Sequence, residues 1–160
     1  VRIWIDADAC PQAVREIVFR AALRLEIPVF FVSNRGGVPK RSVWITAVQV
    51  GKDLDAADRH IAENAAEGDV VITADIPLAA KVVARGAVAL DPRGETYTAE
   101  NVGERLSVRD FLQSLRAEGQ VTGGPAPFSN ADRQRFANAL DRQLARRKPG
   151  NEPKGASHEP

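Results

Sequence analysis

Short apolar runs alternate with stretches of helical spacing along the first ninety residues. RIWID (2–6) has apolar side chains on both faces, as a central strand of a parallel sheet does. Pro11 suits a helix start, and Ala13, Ile17, Ala21 and Leu25 then recur every four residues. PVFFVS (28–33) is predicted as a second strand opened by Pro28, and VWITAVQV (43–50) as a third. The Gly and Pro of NRGGVPKR (34–41) make the stretch between them a loop. Asp53 or Asp55 caps a predicted helix that reaches about Glu67 and is closed by Gly68. VVITA (70–74) is the fourth strand, Asp75 caps a helix ending near Gly86, and AVAL (87–90) is the fifth strand.

After DPRG (91–94) no further strand is predicted. Thr98 and Ser107 read as helix caps, Ser107 with Asp110 as a capping box, and Gly119 as a stop. GQVTGGPAPF (119–128) is a loop, and Ser129 opens a last helix with Phe136, Leu140 and Leu144 along one side. From Lys148 onward the chain is Pro, Gly and charge. The pattern predicts a three-layer α/β/α fold with a mostly parallel central sheet and C-terminal helices packed on it. It predicts one domain over 1–147 and a disordered tail over 148–160.

Composition narrows the classes. The chain has 160 residues, 44% hydrophobic and 27% charged, as an ordinary globular domain does. A net charge of +1 gives no global field of the polybasic kind. The signs are uneven: residues 131–160 carry seven Lys and Arg against four Asp and Glu, a helix face and tail with a basic excess. One cysteine excludes an intrachain disulfide. No apolar run approaches the roughly 20 residues of a membrane span. The first residues lack the basic start and long apolar centre of a signal peptide, so a cytoplasmic location and no membrane partner are expected.

The acids change the picture most. Open α/β sheets bind ligands at the carboxyl ends of their parallel strands. Asp6 and Asp8 follow the first strand and Asp75 follows the fourth. Leu54, Asp58, Ile61, Ala62 and Ala65 form one helical stripe, which should face the sheet, with Asp58 interrupting it. Converging carboxylates need a cation to stay ionised together, and hard Mg²⁺ or Mn²⁺ takes oxygen ligands. Asp6, Asp8, Asp58 and Asp75 are therefore candidate metal ligands. Asp75 has a plainer alternative as an N-cap, Asp8 as a turn or cap acid, and nearby Asp55 as a cap or an ion-pair partner of Arg59, whereas Asp6 and Asp58 are harder to explain structurally. Ser33 and Asn34 directly follow a strand and Arg93 follows AVALDP, which places all three as candidate phosphate ligands on the same rim. Cys10 precedes a helix, has no histidine to pair with, and reads as a small buried residue.

IWIDADACP, FFVSN, the stretch from DLDAADRHIAENAAEGD to ALDPRGETYTAENV, and the late GGPAPF resemble the YaiI/YqxD family of bacterial proteins. The resemblance covers residues 2 to about 146. That family in turn resembles PIN-like domains, metal-dependent ribonucleases. Their pattern of a strand-ending aspartate, a helix-opening D-x-x-I-A and an aspartate after V-T-x-D matches Asp6, Asp58 and Asp75. The resemblance implies catalytic roles for these three, Mg²⁺ or Mn²⁺ as cofactor and RNA as partner. The glutamate that PIN domains usually add has no counterpart at a matching position, and Asp8 is the candidate replacement. IWIDADAC and FFVSN also resemble haloacid-dehalogenase phosphatases, with Asp6 as nucleophile, Asp8 as acid/base, Ser33 on phosphate and Lys52 as the lysine. A binding module that keeps the acidic rim is the third alternative. Asp58 separates them: a nuclease needs it and the phosphatase does not.

Overall fold

The computed structural model describes residues 1–37, 40–119 and 126–146. The tail expected over 148–160, and residues 120–125 of the expected loop, lie outside them. In chain order the elements are β1 (Ile3–Asp6), a short 3-10 turn (Ala7–Ala9), α1 (Gln12–Leu25), β2 (Val29–Ser33), β3 (Ile45–Gln49) and α2 (Ala56–Asn64). They continue with β4 (Val70–Ile72), α3 (Ile76–Ala84), β5 (Val88–Leu90), β6 (Thr96–Tyr97), α4 (Val102–Ala117) and α5 (Asn130–Ala145).

The strands form a single sheet in the order β3-β2-β1-β4-β5-β6. β1 to β5 run parallel, and β6 is antiparallel to β5. From β1 the chain steps outward through β2 to β3. It then crosses back by α2 to β4, on the other side of β1. The order therefore reverses between β1 and β4, and a crevice opens at such a reversal beyond the carboxyl ends of the strands. Right-handed crossovers put α1 on one face and α2 and α3 on the other.

Alternation along β1 sorts the core. Ile3 and Ile5 join Val29 and Phe31 under Val14 and Val18 of α1 and Phe136, Leu140 and Leu144 of α5. Trp4 faces the other way, into Val32, Val71, Ile61, Leu78 and Val82. Burying a Leu, Ile or Phe side chain contributes about 1.5–3 kcal/mol, so these two layers hold the strand ends in place. Among the described residues no helix is long and apolar enough to cross a membrane.

Four local expectations are corrected. The buried face of α1 is Val14, Val18, Phe19, Ala21 and Ala22, while Ala13, Ile17 and Leu25 are only partly covered. Steps of four alone drift around a helix of 3.6 residues per turn, whereas mixed steps of three and four hold one face. Leu54 precedes α2 and is fully exposed, so the sheet-facing stripe does not include it. α2 stops at Asn64 because the Asp69 carboxylate takes the Ala66 N–H at 2.9 Å. Ser107 lies exposed inside α4 and caps nothing, since Asn101 is at the N-cap position.

DPRG proves to be a turn that returns the chain as β6. Gly94 sits at φ +98°, and its N–H bonds the Asp91 carbonyl at 2.8 Å. A Cβ there would lie 2.7 Å from the Arg135 backbone, so both conformation and α5 demand glycine. Ser129 and Asp132 form the capping box of α5.

Candidate functional site at the seam between β1 and β4

The reversal in strand order is spanned by one side-chain hydrogen bond. Asp6, the last residue of β1, is buried, and its Oδ2 accepts from Thr73 Oγ1 at 3.0 Å. Thr73 follows β4 directly and is itself buried. Its Oγ1 also accepts the Asp75 N–H at 3.0 Å, and Asp75 Oδ1 accepts the Leu78 N–H at 3.0 Å as the N-cap of α3. Asp6, Thr73, Asp75 and the start of α3 thus form one connected chain of contacts.

Asp8 lies exposed in the 3-10 turn after β1. It accepts the Asn34 N–H at 3.1 Å and the Ser33 hydroxyl at 3.4 Å. The Ser33 Oγ in turn accepts the Arg35 N–H at 2.9 Å. The ends of β1 and β2 are tied together through Asp8. Its spacing from Asp6 follows from this: one acid faces the seam to β4, the other faces β2.

Asp58 is in the first turn of α2. Burial pushes its carboxyl up to about 6, the charges of Asp75 and Asp6 push the same way, and Lys81 opposes them. Asp6 is also pushed up, first by burial and then by Asp75 and Asp8, against the Thr73 hydrogen bond that lowers it. Asp6, Asp58 and Asp75 are therefore within electrostatic reach of one another, and Asp8 is within reach of Asp6. Four acids from β1, the following turn, α2 and α3 gather at one rim. Perturbed carboxylates cluster at functional sites and also occur in structural networks.

The donor set was tested against a divalent ion. All four groups offer hard oxygen, which fits Mg²⁺ or Mn²⁺. Among the described residues no three His, Cys, Asp or Glu side chains stand close enough to cage an ion directly. Mg²⁺ keeps several of its waters and takes only one or two carboxylates, so hard oxygen donors of this kind would suit a hydrated ion rather than an all-protein cage.

Other expected site residues are placed differently. Arg93 stands at the carboxyl end of β5, but its guanidinium holds α5. It donates to Asp132 at 2.9 Å and to the Ala126 carbonyl at 2.5 Å, and it lies over the Phe128 ring. Lys52 is exposed in the segment before α2. Arg59 pairs with Asp55 as its i+4 spacing implies. Cys10 is buried, and burial pushes its thiol up to about 12, far from a reactive thiolate.

Two polar residues were missed. Thr73 has a legible signal, since a hydroxyl between a buried strand and an N-cap aspartate reaches both neighbours. Asp69 has none: it looks like a loop acid after Gly68. In the structure it is buried and accepts from the Arg2 N–H, Trp4 Nε1 and the Ala66 N–H, with the Arg2 guanidinium at 3.1 Å.

A family model described as "Uncharacterized BCR, YaiI/YqxD family" matches residues 4–146. The chain belongs to the YaiI/YqxD family. The matched span contains Asp6, Asp8, Ser33, Asn34, Asp58, Thr73 and Asp75, so the whole rim is family territory. Among curated relatives of this YaiI/YqxD chain, a "UPF0178 protein" of Geobacter metallireducens is 58% identical over 146 residues, 91% of this chain and 94% of the relative. One from Trichlorobacter lovleyi is 59% identical over 144 residues, 90% and 94% of the two chains. One from Myxococcus xanthus is 55% identical over 146 residues, 91% and 95%. No solved structure matches the chain.

Proposed function

We propose that this YaiI/YqxD protein is a Mg²⁺- or Mn²⁺-dependent hydrolase of RNA phosphodiesters. What supports it is that Thr73 joins Asp6 and Asp75 at the seam between β1 and β4, with Asp58 in the first turn of α2, where burial and the charges of Asp75 and Asp6 push its carboxyl up. Adjacent acids from separate elements repel, and a divalent cation in the crevice relieves that repulsion. An anionic ligand follows from a cation at an open strand rim, and the PIN resemblance selects RNA. The bound ion supplies charge neutralisation on the phosphodiester and a lowered pKa for water.

The protein's part is positioning. Asp6 and Asp75 would hold the ion, directly or through its waters. Thr73 fixes Asp6 by donating to Oδ2 and fixes the chain at Asp75 by accepting its N–H. Asp58 would orient the ion or the attacking water. Asp8 holds the end of β2, where Ser33 and Asn34 flank the rim. The phosphatase reading gives Asp58 no task, and its coupling to Asp6 favours the nuclease.

The test is cleavage of single-stranded RNA with Mn²⁺ by wild type, Asp6→Asn and Asp58→Asn. Wild type is expected to cleave, and each variant to lose about a hundredfold or more. Cleavage that survives both substitutions is contamination and removes the reading. Release of phosphate from a small phosphomonoester, lost in Asp6→Asn but kept in Asp58→Asn, establishes the phosphatase instead. Neither activity, with Mn²⁺ still bound, establishes a binding module.

A further inference from the structure

A groove of about 580 Å³ runs along α1, on the face of the sheet opposite α2 and α3. Arg15, Glu16, Phe19, Arg20 and Leu23 line it from the helix, and Lys40 lines it from the loop that follows β2. With Gln12 at its head, the lining steps along α1 by three and four residues, a continuous stripe about 16 Å long. At one phosphate per about 3.4 Å of a stacked strand, that length spans about five nucleotides.

The head of the groove is fastened to the rim. Arg15 donates to the Ala7 carbonyl at 3.0 Å and the Cys10 carbonyl at 3.1 Å, the backbone on either side of Asp8. Its guanidinium lies 5.3 Å from the centre of the Phe31 ring, which locks its plane. Farther along, Arg20 and Lys40 are exposed, and among the described residues neither has a carboxylate at ion-pair distance. Arg59, Arg93, Arg105 and Arg135 are each paired with an acid. Glu16, the one acid in the lining, is held by Gln12 Nε2 at 3.4 Å. Leu23 gives the groove an exposed apolar edge, while Phe19 is buried beneath it against the Phe31 ring. Unpaired cations along an open groove supply the charge that the phosphates of a single strand require.

We infer that the α1 groove binds the stretch of single-stranded RNA that leads away from the phosphodiester held at the Asp6–Asp58–Asp75 rim. Arg20 and Lys40 contact phosphates, Arg15 sits at the junction with the rim, and the exposed Leu23 lies against a base. The inference rests on the RNA reading of the rim, but binding in the groove needs no metal.

The test is fluorescence anisotropy of a labelled oligouridine with the full chain, in EDTA, at several salt concentrations. The variant is Arg20→Glu with Lys40→Glu, two exposed positions whose reversal leaves the core intact. Arg85→Glu with Arg142→Glu, both exposed and outside the groove, changes net charge equally and is the control. Wild type and control are expected to bind alike. The groove variant is expected to bind at least about tenfold more weakly, with a salt slope shallower by about 1.4, for two lost phosphate contacts on a single strand. Equal loss in control and groove variants overturns the inference, as does unchanged binding by the groove variant or no binding by wild type. If the groove variant alone loses binding while wild type fails to cleave with Mn²⁺, the groove stands and the hydrolase falls. If wild type cleaves and the groove variant binds and cleaves as well, the hydrolase stands and the groove falls.

Discussion

Thr73 Oγ1 donates to Asp6 Oδ2 across the seam between β1 and β4, at 3.0 Å, with both residues buried. The same hydroxyl oxygen receives the Asp75 N–H. One side chain thus sets the position of two of the acids that the proposed site needs.

Thr73→Val keeps the shape and removes both hydrogen bonds. It is expected to lower unfolding free energy by about 1–3 kcal/mol, the usual effect of stranding a buried polar partner. The Asp6 carboxyl should rise further, because the Thr73 hydrogen bond is what lowers it. Urea unfolding and a carboxyl NMR titration read the two effects. Thr73→Ser, which retains the hydroxyl, should largely restore both.

Asp58 gives stability a pH dependence. Its carboxyl is raised in the folded state from 3.8 to about 6. Between those values the folded chain binds more protons than the unfolded chain, so stability falls as pH rises through this window. Asp6, raised as well, adds in the same direction. In metal-free buffer, Asp58→Asn should flatten part of that slope and stabilise the protein at pH 7 by about 1 kcal/mol, the shift being discounted for solvent screening of a partly exposed group. Thermal melts of both proteins from pH 4 to pH 8 check it, and a variant less stable at pH 7 would be the wrong sign.

The strands were legible in the sequence because each is a short apolar run with turn chemistry on both sides. The rim was legible because strand ends and helix starts are visible in the pattern, and Asp6, Asp58 and Asp75 fall on them. What escaped was tertiary. Nothing local to TY (96–97) separates a two-residue strand from a loop, since β6 exists only through its pairing with β5. Leu54 has the spacing of the α2 stripe, but the helix begins after it. Arg93 has the position of a phosphate ligand, and only the fold of α5 shows that Asp132 lies beside it.

Arg93 is accordingly expected to act on stability. Arg93→Ala removes the pairing with Asp132 and the contact to the Ala126 carbonyl, which together anchor the start of α5. The urea midpoint should fall, with oligouridine binding and its salt slope unchanged for the folded fraction. A weaker, less salt-dependent affinity at unchanged stability would instead return Arg93 to the phosphate site.

Asp69 anchors the amino ends of β1 and β4. Asp69→Ala leaves Trp4 Nε1 and the Arg2 and Ala66 N–H groups without their acceptor. A loss of about 3 kcal/mol is expected, since removing one partner leaves buried donors and a charge uncompensated. Urea unfolding measures it, and near-neutrality would mean that water replaces the carboxylate.

Divalent-ion binding at the rim is the step on which cleavage depends. A Mn²⁺ titration of the metal-free protein, followed by the EPR signal of the free ion and repeated on Asp58→Asn, measures it directly. Wild type should take up one Mn²⁺, more tightly at pH 7.5 than at pH 5 because protons compete for the same carboxylates. Asp58→Asn should weaken that binding by about tenfold or more. Wild type that takes up no Mn²⁺, or a variant that binds it as wild type does, would contradict a metal site built from Asp6, Asp58 and Asp75.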